Sequence, residues 1–515
     1  MGGVAMTLLK RLLFIVVVYL FSLGVLGCSA MHKKQQASYN ELLSAGKYSA
    51  AANATVADAD KNDMLGCLHH AYALRLMQNY NGSVKYFDRS EALYKASEED
   101  RLYHQSTKLL SAALVNESIT AYTGNLYEMT MVNIYKGISF LLSGDPENAR
   151  VELNRALDRQ RRAKEYFDSE IQSELAKAEK ARNSTAANAT GQASAPAPVP
   201  SASDTIAKND ALKKGLAQHY SNLENFEPYA NYTNPFATYF SGVYFLLMKD
   251  YPRALDLLKE ASAMCPGNTI IKQDLELAYQ RANSITPATV APAPEAKPKG
   301  GKKTKASAKK APALPPPPPV APENPRYAWV VVENGSGPAL DSLVIPIPLL
   351  LVTTQALYTQ VALPKQVPGV CATEAMTVAS SRETSASEQV ADLNAISATE
   401  FKARFSAILL RAVTSATVKA AMQVAGKKLG GDLGQIGALI YGAVVNQADT
   451  RYWVSLPLRY DIAKVRIDET DGELQLNLSP GQSLSVRVDP AKNALLFVNL
   501  RTSASTPYVD SISLD

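Results

Sequence analysis

Gly137-Ile-Ser-Phe140-Leu-Leu-Ser-Gly144-Asp145-Pro146-Glu-Asn-Ala149-Arg-Val-Glu-Leu153-Asn-Arg-Ala156 decides how the first half of this chain is read. Gly242-Val-Tyr-Phe245-Leu-Leu-Met-Lys-Asp250-Tyr-Pro-Arg-Ala254-Leu-Asp-Leu-Leu258-Lys-Glu-Ala261 repeats its plan. Counted from the glycine, both carry an aromatic at +3, Asp at +8, Ala at +12, Leu at +16 and Ala at +19. Apolar residues three and four apart make one face of a helix. Asp followed by Pro caps a second helix at its start. Each stretch therefore reads as a helical hairpin. Glycine and the first alanine let its two helices approach, the leucine fills the groove, and the last alanine admits the next helix. A weaker unit places Ala71, Leu74, Ser83, Phe87 and Ser90 at the same offsets.

This pattern resembles the tetratricopeptide repeat (TPR). The resemblance implies a right-handed superhelix whose concave face binds a peptide or protein. Equivalent positions lie 66 and 105 residues apart, more than the tandem TPR period, so diverged helical pairs such as 101–122 and 164–182 are expected between them. Eighteen of the 25 tyrosines fall within 28–284. Tyrosine suits an interface groove, and it equally suits packing between helices.

Working outward, 36–284 reads as an all-α domain with a small, polar, Pro-punctuated insert at 183–206 that should be disordered. Residues 285–326 form a linker rich in Pro, Ala and Lys. From 327 to 515 the pattern becomes α+β. Tyr327–Glu333 is β-rich, and Leu343–Val352 is apolar with two prolines that confine it to an edge. Residues 373–396 look irregular. Ser397-x-x-Glu400 signals a capping box for a helix from about Glu400 to Leu429, with a second at Leu433–Val445. Strands follow at Tyr452–Leu456, Ala463–Ile467, Glu473–Leu478, Ser483–Val488 and Ala494–Leu500, read as a closing meander. The fold class is multidomain, with TPR-like helices and an α+β domain on either side of a disordered linker.

Lys10-Arg11, the apolar run Leu12–Leu26 and Val25-Leu26-Gly27-Cys28 read as a signal peptide over 1–27. The last four residues resemble the bacterial lipobox, which implies cleavage before Cys28, acylation of that cysteine, and a lipidated tether over 28–35. Ser29 favours the outer membrane, facing the periplasm. Several acyl chains hold a protein on a bilayer that one chain holds only marginally.

The net charge of +5 invites a nucleic-acid reading, and its location dismisses it. Loss of Lys10 and Arg11 leaves +3, and segment 291–320 alone carries +6, so the remainder stands at −3. Lys297, Lys299, Lys302, Lys303, Lys305, Lys309 and Lys310 give any anionic surface polymer, peptidoglycan included, one address. Aromatic stacking residues are absent there. No phosphate-binding loop, no Cys-x-x-Cys and no nucleophile elbow occurs, and His69-His70 are adjacent rather than four apart. No catalytic residue, metal or cofactor is nominated, and an enzyme is not expected. Cys67, Cys265 and Cys371 would meet an oxidising compartment, where one pair could bridge.

With Asp449-Thr-Arg451-Tyr-Trp453-Val-Ser-Leu456-Pro457, the ensemble resembles an uncharacterised bacterial outer-membrane lipoprotein family with TPR-like N-terminal helices. The resemblance implies a membrane-anchored envelope lipoprotein that acts as a non-enzymatic scaffold or adaptor for an envelope protein. The alternative is a peptidoglycan or surface-polymer binder using the basic linker and the C-terminal domain. The candidate repeat-packing positions are Gly137, Phe140, Ala149, Leu153, Ala156, Gly242, Phe245, Ala254, Leu258 and Ala261.

Overall fold

The computed structural model describes residues 32–103, 121–163, 165–167, 202–225, 234–284, 325–349, 357–417, 448–479 and 482–514. Its first half is helical. The helices are α1 (32–44), α2 (Tyr48–Asp60), α3 (Met64–Leu76), α4 (Tyr80–Tyr103), α5 (Leu126–Leu142), α6 (Pro146–Arg161), α7 (Ala202–Lys208), α8 (Asp210–Asn225), α9 (Pro235–Leu247), α10 (Tyr251–Met264) and α11 (Thr269–Ser284). Helix starts are set by side chains. Asp63 accepts from the Gly66 amide at 2.6 Å, Asp145 from Asn148 at 3.1 Å, and Asn234 from Phe236 at 3.0 Å. Each such cap stabilises its helix by about 1 kcal/mol.

The hairpins α3/α4, α5/α6 and α9/α10 pack as the offsets require. A methyl group on Gly137 would sit 3.1 Å from Leu153 Cδ2, and one on Gly242 would sit 2.9 Å from Leu258 Cγ. The leucine at +16 thus lies directly on the glycine. Ala149, Ala156, Ala254, Ala261 and Phe245 are buried, and Phe140 is half-buried. Ala71, Ser83, Phe87 and Ser90 of the weak unit are buried as well.

Among the described residues neighbouring hairpins touch directly, and most of each helical pair expected at 101–122 and 164–182 lies outside the described residues. The Lys136 ammonium on α5 reaches Asp88 and Glu91 on α4 at 2.7 and 2.9 Å. Arg150 on α6 pairs with Asp250 at 2.8 Å, and the Tyr244 hydroxyl on α9 donates to the Pro146 carbonyl at 2.7 Å. Helices α7 and α8 lie in a different core. Residues 202–206 of the expected insert are helical because Ile206 and Leu212 find an apolar partner there. The rest of the insert and the linker over 285–324 lie outside the described residues.

The second half contains β1 (Tyr327–Asn334), β2 (Ala339–Leu349), β3 (Leu357–Val367), β4 (Thr377–Ala379), β5 (Thr384–Ala386), β6 (Glu388–Asp392), helix α12 (393–417), β7 (Arg459–Arg466), β8 (Glu473–Ser479), β9 (Gln482–Arg487), β10 (Asn493–Leu500) and β11 (Tyr508–Leu514). One five-stranded sheet has the order β11-β10-β1-β7-β6, with β1 and β10 parallel. A four-stranded sheet runs β5-β4-β8-β9, and β2-β3 is a separate hairpin.

Alternation along β1 sorts its side chains between two cores. Trp329 and Val331 face the helices together with Ile462, Leu495 and Phe497. Ala328, Val330 and Val332 face the four-stranded sheet, meeting Val378, Leu474 and Leu476. The body is therefore three layers deep: helices, sheet, sheet. The helical and sheet-rich regions share the first of these cores. A third core joins α8, β2-β3 and α12 through Leu212, Ile345, Val361, Phe401 and Val413.

Several expectations for this half need correction. Residues 373–396 hold three short strands and the start of α12. That helix begins at 393, so Ser397 and Glu400 lie inside it and form no capping box at its start. Residues 452–456 make no strand. Their backbone groups are satisfied by side chains instead: the Trp453 amide by Glu128 at 2.7 Å, the Val454 amide by His69 at 3.3 Å, and the carbonyls of Val454, Ser455 and Leu456 by Arg501. The closing strands form no single meander, because β8 and β9 lie in one sheet and β10 and β11 in another. The helix expected at Leu433–Val445 lies outside the described residues.

Candidate functional site

The inner helices of the three hairpins are buried almost all round. Every residue of α3 and of α9 is buried. The five-stranded sheet covers the face that a superhelical groove would leave open. Phe236 stacks on Tyr460 with centroids 4.0 Å apart, and Trp453 sits edge-on to Tyr72, Phe87 and Tyr135.

Most polar groups within this contact are paired, with the Arg75 Nε and the Trp453 indole nitrogen left without a hydrogen-bond partner among the described residues. Arg75 on α3 donates twice to Glu333 on β1, at 2.6 and 2.8 Å. Tyr72 and Asn499 complete that carboxylate's shell at 2.6 and 2.8 Å. The Arg75 guanidinium lies 5.0 and 4.6 Å from the Tyr72 and Tyr135 ring centroids. Lys464 on β7 reaches Asp274 on α11 at 2.6 Å, and the Trp329 indole donates to the same carboxylate at 3.0 Å. These groups weld helices to sheet.

A cleft of about 190 Å³ opens where α5, α12, the start of β2 and residues 449–452 converge. Helix α12 supplies Glu400, Arg404, Ile408 and Arg411, spaced so that they share one helical face. Glu400 accepts from the first amides of α5, Leu126 at 2.9 Å and Tyr127 at 3.0 Å. It therefore caps a helix some 270 residues earlier in the chain, where a carboxylate meets the positive end of the helix dipole. Glu128, in the first turn of α5, accepts from the Asn125 amide at 2.8 Å and from the Tyr122 hydroxyl at 2.5 Å. Arg404 donates to Asn125 Oδ1 at 2.8 Å and lies 3.5 Å from Glu400. Arg451 grips Asp449 with two bonds of 2.8 and 2.7 Å, its guanidinium 5.6 Å from the Tyr122 ring centroid.

Burial pushes the Glu400 carboxyl up to about 7, against the opposing pull of Arg404 and the two amides. Burial also raises Glu128, which its hydrogen bonds partly offset. The cleft is thus a mixed-charge site: three guanidiniums beside two carboxylates, Glu400 and Asp449, with Tyr122 and Tyr452 in its wall.

Other residues singled out from sequence stand elsewhere. Cys28 and all seven lysines of 297–310 lie outside the described residues. His69 and His70 are core groups. Burial lowers His69 to about 3, and His70 bonds the Ala52 carbonyl at 3.0 Å. Cys67, Cys265 and Cys371 are free thiols, each raised by burial. Among the described residues, no group of three or more His, Cys, Asp or Glu is placed to hold a metal ion, and no helix is long and apolar enough to cross a membrane.

The Asp449–Pro457 run proves to be a junction. Asp449 and Arg451 enter the cleft, Trp453 enters the core, and Leu456 accepts the Gly337 amide at 2.9 Å. Comparison of the chain with protein-family models, curated proteins and solved structures finds no match.

Proposed function

We propose that this protein is a lipid-anchored bacterial envelope scaffold, held on the periplasmic side of the outer membrane and acting by binding other proteins. One observation carries the reading. Helix α1 begins four residues after Cys28 and is fastened to the body by the Tyr39 hydroxyl, which donates to the His69 carbonyl at 2.6 Å, and by Arg501, which donates to Asn40. An acylated Cys28 would therefore hold the whole body close to the bilayer. Only residues 28–31 of the expected tether precede the helix.

The stacked hairpins support a TPR-like reading, with one change to its usual consequence. The groove lined by the inner helices is filled by the chain's own sheet, so a partner is expected on the outer helices or in the cleft. Val151 on α6 and Tyr279 on α11 are exposed large apolar residues there, at 44% and 47%. A photo-crosslinker placed at either should trap an envelope protein in cells, whereas one at buried Phe240 should trap none. Equal, background-level trapping at all three would count against the scaffold. Cys28→Ser should release the protein from the membrane fraction, and an unchanged fraction would overturn the anchor.

A further inference from the structure

An open sheet edge invites another strand, and folded proteins blunt such edges with proline, inward charges, short strands or a covering element. Most edges of the described sheets carry one of these devices. Pro346 and Pro348 interrupt β2, and Pro364 interrupts β3. Strand β5 has only three residues. On β6 the carbonyls of Gln389 and Val390 accept from Asn268 and Cys265 at 3.0 and 3.2 Å. Strand β11 carries Asp510, a buried carboxylate that accepts from Tyr80 and Tyr508.

Strand β9 ends the four-stranded sheet and carries none of them. Its sequence, Gln482-Ser-Leu-Ser-Val-Arg487, has no proline and a single charge at its last residue. The Val488 amide donates to the Gly472 carbonyl at 2.8 Å, in register with the β8–β9 ladder. Alternation along that ladder turns the main-chain groups of Leu484 and Val486 toward β8, and those of Ser483, Ser485 and Arg487 away from it. These last three residues are exposed, and their amides meet no hydrogen-bond partner among the described residues. Leu484 and Val486 are half-buried over the core between the two sheets.

We propose that β9 pairs antiparallel with β9 of a second copy across a twofold axis at Ser485, joining two four-stranded sheets into one of eight strands. The strand is self-complementary about that residue. Ser485 meets the partner's Ser485, Ser483 meets the partner's Arg487, and Leu484 meets the partner's Val486. The outward amides and carbonyls then exchange about six hydrogen bonds. The apolar pairs extend the core across the axis, and each arginine faces a serine, so no like charges oppose. This match of the strand to itself selects a second copy as the occupant, in an isologous contact. An edge this short buries less than a standard interface, so the dimer is concentration-dependent. None of this rests on the lipid anchor.

The experiment is cysteine trapping of the full chain in cells. Neighbouring strands lie about 4.8 Å apart, so two copies of residue 485 come within disulfide reach, while two copies of Gln475, its exposed neighbour on β8, stay about 14 Å apart. Under mild oxidation Ser485→Cys should give a covalent dimer, and Gln475→Cys none above the wild-type background. Sedimentation equilibrium of the purified full chain then compares two variants. Ser485→Pro removes an amide that bonds nothing within the monomer, a position where an edge strand tolerates proline. Ser485→Lys sets two cations face to face across the axis, yet stands beside Glu473, which the Ser485 hydroxyl meets at 2.6 Å, so the monomer keeps a favourable neighbour. Each should weaken dimerisation by about tenfold or more, with far-ultraviolet dichroism and tryptophan emission unchanged. Equal trapping at 475 and 485, a monomer at every concentration up to about 1 mM, or dimerisation that both variants leave unchanged overturns the pairing. So does a photo-crosslinker at 485 that traps a different protein, which would make the edge a site for another chain's strand.

Discussion

Replacing Arg75 by methionine should destabilise helices and sheet together. Arg75 and Glu333 are both essentially excluded from solvent, with side chains 2% and 1% exposed. The substitution removes two short contacts to the carboxylate and leaves it with the Tyr72 hydroxyl and the Asn499 amide. Hydrogen bonds to a charged group contribute about 1.5–3 kcal/mol each, and breaking a buried pair from one side costs about 3–5 kcal/mol. We expect a loss of about 3–5 kcal/mol. Arg75→Met with Glu333→Gln should recover most of it, because no unpaired charge is then left behind.

The assay is urea unfolding followed by two signals. The chain has two tryptophans, Trp329 and Trp453, and both lie buried between helices and sheet. Their emission reports that contact, and far-ultraviolet dichroism reports the helices. Both midpoints should fall together. A loss below about 1 kcal/mol would refute the weld. So would a tryptophan transition that moves while the helical one stays, since the two regions would then unfold apart.

Other outcomes follow from the same geometry. Leu258→Ala should cost about 2–5 kcal/mol by the same denaturation assay, since it empties the space over Gly242. Glu400 has a carboxyl raised to about 7, above its value in an unfolded chain, so the folded state holds the extra proton between about pH 4.5 and 7. Stability should therefore fall as pH rises through that window, by an amount on the order of 3 kcal/mol. Glu400→Gln should flatten this part of the profile, and an identical slope in both proteins would exclude Glu400 as its source.

The hairpins were legible because their information is local. Gly137 with Leu153, and Gly242 with Leu258, lie sixteen residues apart and touch. The filling of the groove was legible in principle. Pro235–Leu247 carries no charged residue and is apolar all round, the mark of a helix with no exposed face. A resemblance to binding repeats directed attention to an open groove instead. The cleft was not legible, because its parts come from 121–127, 338–340, 364–366, 397–411 and 449–452. Glu400 illustrates why. Its spacing from Ser397 matched a local cap, and its partners are amides at Leu126 and Tyr127. The strand expected at 452–456 failed for a related reason, since Glu128, His69 and Arg501 supply the partners a neighbouring strand would have supplied.

The parallel pairing of β1 with β10 has a consequence for the order of folding. Val331 lies opposite Phe497, so the central strands meet across 166 residues of chain. Contacts that distant form late, after the loop between them has closed. A chain delivered N-terminus first presents α3, α5 and α9 long before residue 497 arrives to cover them. Through that interval the inner helices expose Phe236, Phe240 and Tyr135 to water. Until its last strands emerge these apolar faces have no cover, and a chain truncated before Asn493 is expected to leave them so.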